Sequence, residues 1–155
     1  MQELALSYLQ ALFTAEEIGG IAYPKAIKQC NLDRSFESLD RIDQLLDAIR
    51  EKQKPTLDEF IAVEEQYNFL YMLAFYASYM VSRSPGVQVG WQSYDQFIAE
   101  NPGMAGAWPK RFESSIVCLV LKDGKEKQFL PLVPIVIRLF EGPSKSVRFS
   151  VEGFL

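Results

Sequence analysis

Apolar residues recur at helical spacing in "SFESLDRIDQLLDAIR", residues 35–50. This pattern predicts a helix with one buried face, with Ser35 as its N-cap. Steps of three or four residues separate the apolar positions, which are Phe36, Leu39, Ile42, Leu46 and Ile49. Basic residues near the end of the segment, followed by Pro55, favour a helix end at that point.

A longer helix is predicted from about residue 56 to about residue 82. The stretch "TLDE" has the form of a capping box, with Thr56 as the N-cap and Glu59 three residues later. From residue 69 to residue 81 the chain is apolar almost all round the predicted helix, which is typical of a helix covered on most sides. We therefore expect this helix to lie at the centre of the fold.

The pattern changes after residue 83. The stretches "GVQVGW" and "SSIVCLVL" are typical of strands, and a capping box of Ser93 and Gln96 opens a short helix between them. Asp123 and Gly124 are the residue types of a tight hairpin turn, which leads into "KEKQF". The alternation in "KSVRFSVEGF" predicts a further strand.

The most apolar run, "QFLPLVPIVIRLFEGP" at residues 128–143, is predicted to be the return strand of that hairpin. The stretch from residue 129 to residue 140 is too short to span a membrane. Pro131 and Pro134 disfavour central pairing, but from Ile135 to Phe140 apolar residues occupy both faces of a strand. Arg138 then requires a carboxylate or carbonyl partner. A proline-lined groove for a peptide or an apolar ligand is the alternative.

These patterns predict a single α+β domain over residues 1–155. N-terminal helices, including one long central helix, form a helical part at about residues 1–83. They pack on a small C-terminal antiparallel sheet within a mainly β part at about residues 86–155.

The absence of histidine narrows the possible chemistry. It excludes Ser-His-Asp and Cys-His catalysis and every His-ligated metal site. Cys30 and Cys118 are far apart, so we predict no metal, no cofactor and two reduced, buried thiols, with one disulfide as the alternative. The net charge of -4 argues against nucleic-acid binding. Without a targeting signal or a membrane-spanning stretch, a cytoplasmic monomer or weak dimer is expected.

A row of carboxylates follows the polar flank of the predicted helix at residues 35–50. Glu37, Asp40, Asp43 and Asp47 are three or four residues apart. They form either a solvated face or a surface for a basic partner, and residues 1–83, with 13 acidic and 8 basic residues, are the acidic half of the chain. On an exposed ridge, reversal of Asp40 and Asp43 to Lys should leave folding nearly intact.

Two further sets of residues are candidates for a site. Glu64, Asn68 and Tyr71 lie on a polar stripe of the predicted central helix, which is either a partly exposed seam or the polar side of a pocket. Trp108 and Arg111 lie in the glycine-rich stretch "GMAGAWPKRF". Both residue types favour the centres of protein interfaces, although anchoring of Trp108 in the core competes with that interpretation.

The order of these segments resembles that of a group of small bacterial proteins. In them a Ser-Leu-x-x-Leu-Asp-type helix, here "SFESLDRIDQLLDAIR", precedes an apolar helix, here "FLYMLAFYASYMVSR", and a Trp follows. The resemblance implies a bacterial cytoplasmic protein and no particular chemistry. In size, acidic charge and lack of catalytic motifs the chain is also similar to immunity proteins, which block a cognate toxin.

Two functional hypotheses follow. The first is a non-catalytic protein-binding module, an immunity protein in its most specific form, that uses the acidic helical face or the Trp108 loop to bind a basic protein surface. The second is a small-molecule-binding protein or a histidine-free enzyme with a pocket around Glu64, Asn68 and Tyr71.

Overall fold

Five helices form the first half of the chain in the computed structural model, which describes residues 1–155. They are α1 (Gln2–Thr14), α2 (Pro24–Cys30), α3 (Glu37–Gln53), α4 (Leu57–Ile61) and α5 (Glu64–Val81). The helix predicted at residues 35–50 is confirmed as α3, and its apolar face is buried. Its N-cap is Phe36 rather than the predicted Ser35, although the backbone N–H of Ser38 donates to Ser35 Oγ at 3.3 Å.

The central helix is confirmed, but it is shorter than predicted. Ala62 and Val63 interrupt the predicted helix and divide it into α4 and α5. Thr56 is the N-cap of α4 with extended backbone, but its side chain makes no capping hydrogen bond. Twelve residues of α5 are buried, so this helix is covered on nearly every side and supplies the centre of the core.

A three-stranded antiparallel sheet follows, with β1 (Val87–Ser93), β2 (Ile116–Lys122) and β3 (Lys125–Phe129) in that order. The hairpin turn is confirmed at Asp123 and Gly124, which both have positive φ, as a two-residue turn between β2 and β3 requires. The sheet packs on α5, where the Trp91 indole donates to Ser78 Oγ at 2.8 Å. After β1, α6 (Tyr94–Glu100) opens with the predicted capping box of Ser93 and Gln96.

The strand predicted from Ile135 to Phe140 is wrong, because the chain there is helical. Helix α7 (Leu132–Val136) is followed by a π-helical turn (Ile137–Glu141). Pro131 precedes α7 and Pro134 lies in its first turn, where the missing N–H groups would have no partner within the helix. A run that is apolar on all sides suits a buried helix as well as a buried strand, so the prolines decide between them.

The strand predicted in "KSVRFSVEGF" is also wrong. Residues 147–152 form α8 (Val147–Glu152), with Ser146 as the N-cap, whose side chain accepts from Phe149 N. The buried residues Val147 and Val151 are four positions apart, whereas Phe149 between them is 77% exposed. This spacing is helical rather than alternating. The second half of the chain is therefore a mixture of helices and strands, less β-rich than predicted.

One cluster of 31 buried residues runs from Ala5 to Val151 and joins both halves of the chain. The α+β class is confirmed, with helices packed on a small antiparallel sheet in the C-terminal half. No helix combines the length and the apolar character needed to cross a bilayer.

Candidate functional site

The carboxylates of α3 contact arginines of the C-terminal third of the chain. Asp47 accepts two hydrogen bonds from Arg138, from Nε to Oδ1 at 2.7 Å and from Nη2 to Oδ2 at 2.6 Å. Arg50 donates to the same Oδ1 at 2.9 Å. Hydrogen bonding to Arg138 is the main cause that lowers the pKa of Asp47. The predicted need of Arg138 for a partner is thus met by Asp47 and by the carbonyls of Pro143 and Lys145.

Asp43 is buried between α3 and the start of α8. Its side chain accepts from Val147 N at 2.9 Å and from Ser146 Oγ at 3.0 Å, and Arg138 Nε lies 4.0 Å away. The residue is only 6% exposed. Burial raises the pKa of Asp43, and these hydrogen bonds and Arg138 partly offset that effect. Asp43 therefore fixes the position of α8.

The remaining carboxylates of the row are closer to solvent. Asp40 accepts from Arg148 Nη1 at 2.6 Å, and Glu37 is exposed without a salt bridge. The prediction of an exposed acidic ridge is therefore wrong at Asp43, which is buried, and at Asp47, which is largely enclosed by two arginines. The pattern within α3 shows only Arg50 beside Asp47, because the other cations, Arg138 and Arg148, come from residues about 90 to 110 positions away, outside any helical period.

The shifted pKa of Asp47 gives a testable pH dependence. Its folded-state pKa is lowered, so its contribution to stability is complete above the ordinary aspartate pKa of about 3.9 and disappears as the pH falls through the folded-state value. We expect Asp47→Asn to lower the free energy of unfolding at pH 7, and this difference from wild type to vanish in more acidic solution. Urea denaturation between pH 7 and pH 2 checks this, and a difference that stays constant with pH would contradict it.

The polar stripe on α5 serves the fold. Asn68 Nδ2 donates to the Gly20 carbonyl at 2.9 Å, and Tyr71 OH donates to Ser115 Oγ at 2.8 Å. Burial is the main cause that raises the pKa of the Tyr71 phenol. Glu64 is exposed at the start of the helix. None of the three residues lines any of the five main cavities, so the pocket predicted around them finds no support in the structure.

The Trp108 loop is held in place by α6. The Trp108 ring stacks on Phe97, with centroids 5.2 Å apart and planes at 29°. Tyr94 OH donates to the Trp108 carbonyl at 2.7 Å, and Ser114 Oγ donates to the Pro109 carbonyl at 3.0 Å. Trp108 is nevertheless only half-buried. It is therefore an anchor of the loop that also forms part of an accessible surface.

The loop faces α7 across a groove with a volume of about 300 Å³. We name it the Trp108 groove, and its main lining residues are Trp108, Arg111, Glu113, Leu130, Val133 and Ile137. Trp108 and Arg111, which were predicted as interface residues, thus line one side of the groove. The apolar segment at residues 128–143, for which a groove was the alternative prediction, forms the other side. That segment forms the groove as a helix rather than as a strand.

Charged groups without a salt bridge line the Trp108 groove together with its hydrophobic residues. Arg111 and Glu141 are exposed, Glu113 is half-buried, and none of the three forms an ion pair within the chain. By contrast, the acidic residues of α3 from Asp40 to Asp47 are all paired or buried. An apolar centre with a polar rim is the usual anatomy of a protein-binding surface.

The two cysteines are free and buried, as predicted. Burial raises the pKa of the Cys118 thiol to about 12, and it also raises the pKa of Cys30. A thiol with a raised pKa carries little thiolate at neutral pH and is a weak nucleophile. Both residues are therefore structural in character.

The fold and the groove define a small α+β protein with an open apolar groove. The chain matches no protein-family model, no curated protein and no solved structure.

Proposed function

We propose that this protein is a non-catalytic binding module that captures a protein partner in the Trp108 groove. The observation that carries the proposal is that a half-buried Trp, five other hydrophobic residues and three charged groups without ion-pair partners line one open groove. Aromatic and arginine side chains supply most of the affinity in such surfaces, while the surrounding contacts exclude water.

The groove is a better candidate than the acidic helix. Asp43 and Asp47 already make close hydrogen bonds within the chain, and a partner would have to displace them. Glu113 and Glu141 need no such displacement. They provide negative charge for a partner with a basic surface, so this expected partner binds at the groove rather than at the acidic helix.

The partner class that we propose is a toxin, which makes the protein an immunity protein of the bacterial cytoplasm. This step is supported by the small acidic chain, by its resemblance to small bacterial proteins, and by a surface suited to one tight contact. The alternative of a small-molecule protein built around Glu64, Asn68 and Tyr71 is less well supported, because these residues line none of the five main cavities.

We expect Trp108→Ala to weaken capture of the partner by about 2 kcal/mol or more, which is roughly 30-fold, chiefly through faster dissociation. Affinity capture with the wild-type chain as bait in its native bacterium, followed by binding kinetics with the recovered protein, tests this. Lys110→Ala is the matched control, because Lys110 is exposed, pairs only with exposed Asp95 and does not line the groove. Equal dissociation rates from wild type and Trp108→Ala would contradict the proposal.

Because Trp108 also stacks on Phe97, its loss can disturb the loop itself. Arg111→Ala separates the two effects, since the Arg111 side chain is exposed and forms no salt bridge. We expect this variant to keep the thermal stability of wild type and to bind the partner more weakly.

A further inference from the structure

The two edge strands of the sheet, β1 and β3, differ in the pairing of their outward backbone groups. Along β1, side chains occupy outward N–H groups at two positions. Trp91 N donates to Gln2 Oε1 at 2.8 Å, and Ser93 N donates to Gln96 Oε1 at 3.1 Å. Contacts of this kind hinder the pairing of a further strand, so the β1 edge is largely closed.

The edge of β3 has no such partners. The two-residue turn makes Lys122 and Lys125 a hydrogen-bonded pair of the hairpin, and hydrogen-bonded pairs then alternate with non-bonded pairs along the two strands. The N–H and C=O groups of Glu126 and Gln128 therefore point away from β2. No backbone hydrogen bond in the turns, loops or caps of the chain involves either residue. These groups form an open edge, to which an extended segment can add as a further strand.

Three lysines lie on one face of the same hairpin. Lys122 and Lys125 are directly opposite each other, and Lys127 is two positions further along β3, so it points to the same side. They border a depression of about 170 Å³, and its lining residues are Val120, Lys122, Asp123, Lys125 and Lys127. Lys122 Nζ donates to the Leu155 carbonyl at 2.7 Å, whereas Lys125 and Lys127 form no salt bridge. Like charges on neighbouring strands repel each other, so this face favours an incoming carboxylate.

From these two observations we propose that the edge of β3 binds an extended acidic segment of a partner protein by strand addition. The backbone groups of Glu126 and Gln128 supply the main-chain hydrogen bonds, which any extended segment can form. The lysines supply the selection, because alternate side chains of an added strand point to the same face of the sheet. Acidic residues two positions apart in the segment then lie beside Lys125 and Lys127.

The same charges disfavour a second copy of the chain at this edge. Pairing of β3 with β3 of another molecule would bring lysines beside lysines on one face of the joined sheet. The edge is also distinct from the Trp108 groove, because no residue of β3 lines that groove. An acidic segment at β3 therefore contacts a different surface from the partner proposed for the groove.

NMR titration of the isotope-labelled full chain with short synthetic peptides tests the proposal. The probe is a capped peptide of alternating Thr and Glu, in which Thr favours an extended backbone and every second residue carries a carboxylate. The control peptide has Lys in place of Glu. We expect the Glu peptide to shift the amide signals of Glu126 and Gln128, with a dissociation constant on the order of 0.1–1 mM. The Lys peptide should bind at least tenfold more weakly.

A proline variant separates strand addition from attraction between charges alone. Gln128→Pro removes an N–H that points away from β2, so the pairing within the hairpin stays intact. Gln128→Ala is the matched control, because it changes the same side chain and keeps the N–H. We expect Gln128→Pro to raise the dissociation constant of the Glu peptide at least tenfold and Gln128→Ala to bind it like wild type.

Charge reversal tests the selection for acidic residues. In the double variant Lys125→Glu and Lys127→Glu, we expect the preference to invert, so that the Lys peptide binds and the Glu peptide does not. Lys110→Glu is the matched control, since Lys110 is an exposed lysine outside the hairpin. It should keep the wild-type preference for the Glu peptide.

Equal binding of the Glu and Lys peptides to wild type would overturn the proposal, as would the absence of any shift up to about 5 mM peptide. Equal binding by Gln128→Pro and Gln128→Ala would also overturn it, because the contact would then depend on the lysines without strand addition. Shifts of Glu126 and Gln128 that grow with protein concentration in the absence of peptide would replace the acidic segment with a second copy.

Discussion

Leu73→Ala should lower the free energy of unfolding by about 2–5 kcal/mol. Leu73 is fully buried in the middle of α5, the helix that the rest of the fold surrounds. Removal of its side chain leaves a cavity that close-packed neighbours fill only in part. Since domains of this size are stable by about 5–15 kcal/mol, the loss is a large fraction of the total.

Chemical denaturation followed by circular dichroism measures this effect. Leu6→Ala is the control, because Leu6 is 52% exposed and its truncation should change stability within about 0.5 kcal/mol. If the midpoint for Leu73→Ala were the same as for wild type, α5 would not be the centre of the core.

The second large effect is expected at Asp43, a residue that its own helix pattern places on the polar flank. Asp43→Ala should lower the free energy of unfolding by about 3 kcal/mol or more. It removes the acceptor of Val147 N and Ser146 Oγ, and it leaves the buried Val147 N–H without a partner. The start of α8 loses its attachment to α3.

Asp43→Asn is the informative companion variant. Its amide oxygen still accepts from Val147 N, and it carries no charge that burial disfavours, so we expect a loss of less than half of that for Asp43→Ala. Asp40→Ala is the surface control, with an expected change of about 1 kcal/mol or less, because the Asp40–Arg148 ion pair is partly exposed. Similar stabilities for Asp43→Ala and wild type would show that α8 does not depend on this carboxylate.

The burial of Asp43 corrects the expectation that Asp40 and Asp43 tolerate reversal to Lys. At Asp43 a Lys would bring a second cation beside Arg138 into a buried position. The double reversal therefore tests folding rather than partner binding, and it cannot serve to locate a binding surface.

The elements predicted correctly are those whose sequence signals involve residues close together in the chain. The apolar spacing of α3, the apolar stretch of α5, the capping box at Ser93 and the hairpin turn at Asp123 are all short-range signals. The two segments wrongly predicted as strands form α7 and α8. Both are short, and in each a helix and a strand would bury nearly the same apolar residues, so periodicity does not distinguish them. Their prolines and the Ser146 N-cap were the signals that favoured helices.

The site was predictable only in part. Trp108 and Arg111 were recognised by residue type, and they do line a groove. The opposite wall, with Val133 and Ile137, depends on the packing of α7 against the loop, which is a contact between segments about 25 residues apart. The partners of Asp43 and Asp47 depend on still longer-range contacts. The spacing of apolar residues within a helix or a strand does not reveal such contacts between distant segments.

We propose that the α3 carboxylates hold the fold together while the Trp108 groove binds the partner. The most direct measurement is the binding kinetics of the captured partner with Trp108→Ala and with Glu37→Lys, at low and at high salt. Glu37 is an exposed carboxylate of the acidic row on α3 and forms no salt bridge, so its reversal changes the acidic face and should leave the fold intact. We predict dissociation roughly 30-fold faster for Trp108→Ala and unchanged rates for Glu37→Lys. Slower association with Glu37→Lys at low salt, together with wild-type dissociation for Trp108→Ala, would contradict the claim and assign the partner to the acidic helix.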